Sequence, residues 1–425
     1  MHVNTSQLAA YLDGALDASE QATVRVHLLT CASCRVRIHR LQADAQAIGS
    51  LAHAGAVPDI RAAIRAKQRA QPLRWISRSI AFAGVAVVLL LFALLISARS
   101  GGTIGWMPDR LFVVDKNRGE LVALNATNGS RLAVRAIGEQ PNQILYDRSL
   151  DRLYVLDTRG VIAVDPQTLH VVARWEAALN WGAPDAMVLD ETKGRLFLSW
   201  PAIGTISALD AATLTPANLA PDGRTSFRVG ASPRALALSP DARTLYTFDS
   251  SNSTLQRVDL VSFQASSWSL DSSNAQRTGW IAVSNDGQNV YVLRGPSASG
   301  DPPELRRVSV LTGQVSTAAP VLASPPPWDM LLLGDQIAVA HGDGQRGGVE
   351  LISTSDLRQT TRIDPLYDQH HLVAGSGGAL FALNFTRGTI TRYDIRTQAA
   401  VWRTPPQPWR PWDGVYVPGG WHWPF

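Results

Sequence analysis

The chain has 425 residues, too many for one ordinary hydrophobic core, so two or more domains are expected. Its 45% hydrophobic content, 17% charged content and net charge of +4 describe a globular chain and exclude a low-complexity one. Six of its bases, Arg61, Arg65, Lys67, Arg69, Arg74 and Arg78, fall in one acid-free stretch, so the basicity is a local cluster rather than the broad face of a nucleic-acid-binding domain, and no direct DNA binding is expected.

The first segment, residues 1–55, reads as short helices. Leu8, Tyr11 and Leu12 form an apolar stripe that Gly14 ends. Asp17, followed three residues later by Glu20, resembles a capping box that opens a second helix. His27 falls near the end of that helix, and Cys31 and Cys34 follow at spacings of four and three. A third helix carries Ile38, Leu41, Ala45 and Ile48 in phase with Cys34. The imidazole and two thiolates can thus converge at a helix end and its following turn. Zn²⁺ takes four such ligands in a closed tetrahedral site. His2, just ahead of the first helix, is the best fourth candidate, and His39 is the runner-up, on a face away from Cys34. Three ligands plus water, a redox dithiol and two small core cysteines remain as other readings. A thioredoxin-like site needs a βαβ context that this segment lacks. A module of about 50 residues buries little core, which a metal clamp would offset.

Residues 56–78 form a basic juxtamembrane linker. Residues 79–98 follow as an uncharged apolar run, with IAFAGVAVVLLLFALLI at its centre. About 20 helical residues span roughly 30 Å, the thickness of the hydrocarbon core, so one transmembrane helix is expected. Its position excludes a secretory signal peptide. Six bases precede the run, and those that follow are diluted by acids, which places the N-terminus inside. Trp75 and Trp106 flank the run as interfacial candidates. Thiols on the N-terminal side fit a reducing cytosol.

Beyond Arg110 the sequence repeats. Strand-like cores recur at Leu111–Asp115, Leu153–Asp157, Leu196–Trp200, Leu245–Asp249, Val290–Arg294, Ile337–His341 and Leu380–Asn384, at intervals of 42, 43, 49, 45, 47 and 43 residues. Each unit has a second half of the type Gly160–Asp165 with an Asp-x-x-Thr turn, and most open on an apolar strand such as Ala235–Leu238 or Trp328–Leu331. That period predicts a β-propeller over 105–418. The first unit lacks an opening strand, and Trp412–Val417 resembles the Trp328 strand, so the chain end is expected to complete the first blade and close a ring of seven. Residues 419–425 read as an aromatic tail. No nucleophile elbow, metal-ligand cluster or phosphate loop occurs here, so no enzyme is expected. His370-His371 and His341-Gly-Asp343 read as turn or channel-lining residues.

Leu8, Tyr11, Leu12, Asp13, Gly14, Leu16, Glu20, His27, Cys31 and Cys34 together resemble the zinc-binding anti-sigma factor family of HxxxCxxC type. The resemblance covers roughly the first 50 residues. It implies a small helical bundle that wraps an extracytoplasmic-function sigma factor, with an upstream ligand at the place of His2. The later repeats resemble YVTN-type and WD-repeat-like propellers, a likeness of architecture that carries little function.

The expected chain is therefore multi-domain: a small all-α zinc-binding helical module, one transmembrane helix, and an all-β propeller. The resemblance implies a single-pass protein of the bacterial inner membrane, with its N-terminus cytoplasmic and its propeller extracytoplasmic. Expected partners are Zn²⁺, a sigma factor, the lipid bilayer and an extracytoplasmic ligand or protein. Two rival readings make the propeller a receptor or enzyme on a mere anchor, or make the thiols a redox switch.

Overall fold

The computed structural model describes residues 105–422, apart from 220–222, 271–275, 299, 318 and 322–324, together with Tyr11, Leu16, Glu20, Gln21, Val24 and His27. The chain divides into two compact units, residues 1–90 and 91–425. The apolar run at 79–98 lies outside the described residues. Among those described, no helix is long and apolar enough to cross a membrane.

Seven four-stranded antiparallel sheets make a seven-bladed propeller, as the repeat period predicts. Blade 1 consists of Arg110–Asp115, Glu120–Asn125 and Arg131–Ala136, completed on its inner side by Pro411–Val417. The innermost strands of blades 2 to 7 are Gln143–Asp147, Met187–Asp190, Pro233–Leu238, Gly279–Val283, Pro327–Leu333 and His371–Ala374. Each innermost strand packs against the next, and Pro411–Val417 contacts both Gln143–Asp147 and His371–Ala374, so the ring is closed.

The repeated apolar cores are the second strands of the blades, and their near-continuous hydrophobicity has a packing cause. Each is buried on both faces, because a blade has a neighbour on either side. In Arg110–Asp115 all six residues are buried. Leu111 and Val113 pack with Val373, Phe381 and Leu383 of blade 7, whereas Phe112 and Val114 pack with Ile144, Leu153 and Val155 of blade 2. Successive side chains point to opposite faces of a strand, so one apolar run supplies two separate cores. The same alternation sends Phe197 to the blade 3–4 core and Leu196 and Leu198 to the blade 2–3 core.

The Asp-x-x-Thr signature has a local cause. In blade 2, Asp165 Oδ1 accepts hydrogen bonds from the backbone N–H of Gln167 (2.9 Å) and Thr168 (2.8 Å) and from the Thr168 hydroxyl (3.0 Å). This side-chain turn reverses the chain between the third and fourth strands, with Leu169 next at φ 57°. Asp210 and Thr213 repeat it in blade 3, where the Thr213 N–H and hydroxyl hold the Asp210 carboxyl below the usual carboxylate range. A second set of capping groups ends the second strands: Asp115 and Asp157 each accept backbone N–H bonds from residues two and three positions on.

Trp200 stands where blades 1 and 2 have this aspartate. It is fully buried, meets Trp175 and Trp181 edge-on at 6.1 and 5.2 Å, and donates from Nε1 to Ser207 Oγ at 2.8 Å. Trp200→Ala removes a large buried side chain and orphans that hydroxyl, so a cost of about 3–5 kcal/mol is expected. A thermal melt would show it as a fall in midpoint on the order of 10 °C.

The chain end departs from the expected aromatic tail. Gly420–His422 form a strand that pairs with Gly105–Met107, in the register Trp106↔Trp421. Trp106, expected at a membrane interface, therefore lies in this ribbon. The ribbon follows Val417 at the C-terminal end of the innermost strand of blade 1.

Candidate functional site

Two regions carry chemistry. In the N-terminal region His27 is helical and half-buried, and Val24, one turn earlier on the same helical flank, is only 4% exposed. Gln21 Nε2 donates to the Leu16 carbonyl at 3.2 Å. His2, Cys31, Cys34 and the runner-up His39 lie outside the described residues, and among the described residues no group of three or more His, Cys, Asp or Glu could hold a metal. The donor set itself suits Zn²⁺: one borderline imidazole on a helix that buries its neighbour, and two soft thiolates within the next seven residues.

The second region is the mouth of the propeller channel. Asp413, Gln143, Asp329 and His371 sit at one register position on the innermost strands of blades 1, 2, 6 and 7, opposite Val114, Leu156, Ala340 and Leu383. Three of these side chains bridge to the next blade by accepting a backbone N–H. Asp413 Oδ2 takes Ile144 at 2.9 Å, Gln143 Oε1 takes Met187 at 2.6 Å, and Asp329 Oδ2 takes Leu372 at 2.9 Å. They therefore fasten neighbouring blades and line the channel at once. A cavity of about 440 Å³ opens here. Its wall includes Trp280, Trp328 and Trp412, the Asp185–Arg234 pair at 3.0 Å, and Asn142.

Charges in this mouth are coupled. Burial pushes the Asp413 carboxyl up to about 6, against the lowering effect of His371 and of the Ile144 and Gly414 N–H groups. Burial disfavours the His371 imidazolium, but Asp329 and Asp413 outweigh it and raise the group above its ordinary value. His371 Nδ1 lies 3.7 Å from Asp329 Oδ2, and its Nε2 is buried with no hydrogen-bond partner in the structure. The neighbouring His370 behaves oppositely. Packed between Trp328 and Phe385, it is lowered to about 3 by burial and by His371, and so stays neutral. His341, at the end of its strand, bonds to the Pro325 carbonyl and Glu350 and plays a structural part.

A pH dependence follows. Asp413 binds its proton more tightly in the folded chain than its ordinary value of 3.8, so folding takes up a proton between about pH 4 and 6. The stability so contributed is complete below the ordinary value and lost as pH rises through about 6. Asp413→Asn should flatten the decline of melting temperature between about pH 4 and 7, read from the slope rather than the absolute midpoint. An unchanged slope would remove Asp413 as its source.

Among these residues only the histidine pair stands out in the sequence. Asp329 and Asp413 do not, although the Trp-Asp dipeptide shared by their strands is a signal that could have found them.

Similarity to known proteins separates the two regions. Residues 5–35 match a family model described as "Putative zinc-finger". The likeness to that zinc-finger family is confined to this stretch. The match includes His27, Cys31 and Cys34, and His2 precedes it. No curated protein matches the chain. Solved structures with a similar fold include hydrazine synthase from Kuenenia stuttgartiensis, at TM-score 0.54 and 15% identity over 65% of this chain and 89% of that one. Apo AztD from Citrobacter koseri has TM-score 0.54 and 11% identity over 76% and 100%. The computationally designed Ika8 protein has TM-score 0.51 and 15% identity over 72% and 87%. At such identities the likeness is one of fold alone.

Proposed function

We propose that this chain is a membrane-bound anti-sigma factor whose cytosolic zinc-finger module sequesters an extracytoplasmic-function sigma factor. The observation that carries this reading is the zinc-finger match at 5–35, which encloses the HxxxCxxC ligands. His27, Cys31, Cys34 and His2 hold Zn²⁺ in this reading. The metal sets the angles between short helices whose apolar faces grip the partner, and it catalyses nothing. Residues 79–98 cross the inner membrane once and leave the propeller extracytoplasmic, where it senses a signal or binds a protein rather than acting as an enzyme.

Two features support sensing. The channel mouth gathers polar and aromatic groups around a cavity, and it lies at the N-terminal ends of the innermost strands. The chain enters the propeller through the Gly105–Met107 ribbon, beyond the opposite ends of those strands.

Capture of partners on full-length chain from detergent-solubilised membranes tests the proposal. A sigma factor as the principal stoichiometric partner is expected. A metal-loaded chain that retains no sigma factor would refute it.

A further inference from the structure

We propose that the channel mouth of the propeller is a binding site for a neutral saccharide of about one or two rings. This assignment rests on the cavity alone and stands or falls independently of the sigma-factor reading.

Size is the first argument. The cavity of about 440 Å³ lies within the range of small-molecule sites, roughly 300–1,000 Å³. Its position at the centre of a closed ring also matters, because residues from six different blades converge on one ligand-sized space: Trp412 and Asp413, Gln143, Asp185, Arg234, Trp280, and Trp328 with Asp329. His371 adds the seventh blade.

The balance of charge is the second argument. Three carboxylates, Asp185, Asp329 and Asp413, line the cavity with two basic groups, Arg234 and His371, and a third, Lys116, lies against the ring of the lining Trp412. Asp185 is paired with Arg234 at 3.0 Å. Asp329 lies 3.7 Å from His371, which the two carboxylates hold above its ordinary pKa. Lys116 Nζ sits 3.9 Å from the centroid of the Trp412 ring and donates to Asn142 Oδ1 at 3.3 Å. The mouth is therefore close to electroneutral. An ionic ligand would have to displace one of these partners to find a countercharge, at the cost of leaving a half-buried charge unpaired.

The third argument is the kind of groups that remain. Each bridging carboxylate uses a lone pair of each oxygen on the backbone: Asp329 on Met330 and Leu372, and Asp413 on Gly414 and Ile144. A carboxylate has about four acceptor sites, so both retain capacity to accept hydroxyl protons. His371 Nε2 is buried without a partner, and the Gln143 amide nitrogen belongs to a side chain whose oxygen alone is committed to the backbone. Donors and acceptors thus alternate around the mouth. Beside them stand the three indoles. Trp328 and Trp412 have already committed their N–H groups, to the Gly342 carbonyl at 2.8 Å and Asn142 Oδ1 at 3.0 Å. What they and Trp280 contribute to the wall is apolar aromatic surface. Aromatic surface for C–H faces, interleaved with carboxylate, amide and imidazole groups for hydroxyls, is the complement of a sugar ring.

The test is calorimetric titration and intrinsic tryptophan fluorescence on the full chain in detergent, with glucose, N-acetylglucosamine and maltose as neutral probes. Glucuronate and choline are the anionic and cationic controls. At least one neutral probe is expected to saturate the signal with Kd in or below the millimolar range, about −4 kcal/mol or stronger. Trp280→Ala should weaken it about tenfold or more, and Trp280→Phe should restore it to within a few-fold. Far-UV circular dichroism and the melting curve establish that each variant folds. Should Trp280→Ala fail to fold, Asp413→Asn is read instead and is expected to weaken binding about tenfold. The proposal is overturned if no neutral probe saturates, if glucuronate or choline binds more tightly, or if a folded Trp280→Ala binds unchanged.

Discussion

Deleting Pro411–Phe425 should abolish cooperative unfolding of the propeller. The deletion removes the innermost strand of blade 1, which pairs with Arg110–Asp115 from Arg110↔Val417 to Asp115↔Pro411. It takes away Val417, fully buried in the blade 1–2 core, with Trp412 and Val415 packed against that core and Tyr416 against the blade 7–1 core. At about 1.5–3 kcal/mol for each large apolar side chain removed from water, the loss is of the order of a whole domain's stability, about 5–15 kcal/mol. The hydrogen bond from Ile144 to Asp413 is lost as well, and the strand at 110–115 is left with an open edge on the channel. Urea titration followed by tryptophan fluorescence would report the result. A shorter deletion, Gly420–Phe425, removes only the ribbon strand and should leave a cooperative transition. If both deletions melted alike, ring closure by the last strand would not be what holds the propeller together.

The second large effect belongs to the zinc-finger module. If the proposed function holds, Cys31→Ser or His27→Ala is expected to drop bound zinc from about one per chain toward zero and to release the proposed sigma-factor partner. Structural zinc contributes about 10–16 kcal/mol of apparent binding free energy in small domains, which is folding free energy where the metal-free module does not fold. A module of about 50 residues buries too little core to replace it. His2→Ala should give an intermediate loss if His2 is the fourth ligand and none if water or His39 takes that place. Elemental analysis beside co-purification separates the outcomes. A double cysteine variant that held the sigma factor as tightly as before would eliminate the clamp mechanism while leaving the propeller assignments untouched.

The two regions differ in how far local sequence could take them. Blade number was legible because a blade is a local unit: its second strand, five to seven residues long, recurs at intervals of 42 to 49 residues with its own hydrophobic pattern. The closing strand was legible too, since Trp412–Val417 carries the pattern of Trp328–Leu333 at the far end of the chain. The zinc-finger likeness at 5–35 was legible because soft and borderline metal donors at short spacing are chemically uncommon. The pairing of Gly105–Met107 with Gly420–His422 was not, since three-residue strands carry no periodicity.

The channel mouth shows the remaining difference. Asp329, His371 and Asp413 are separated by about 42 residues each, and nothing in their local sequence says that they meet. They meet because equal repeats place equivalent residues on adjacent blades, and closure makes blade 7 the neighbour of both blade 6 and blade 1. The amino-acid sequence by itself determined the propeller, its seven blades and its means of closure, through hydrophobic period and side-chain chemistry that act over a few residues. Only the tertiary structure decided which polar groups share the mouth and how they titrate. Burial and charge coupling, as in the raised Asp413 carboxyl, depend on neighbours brought together through space rather than along the chain.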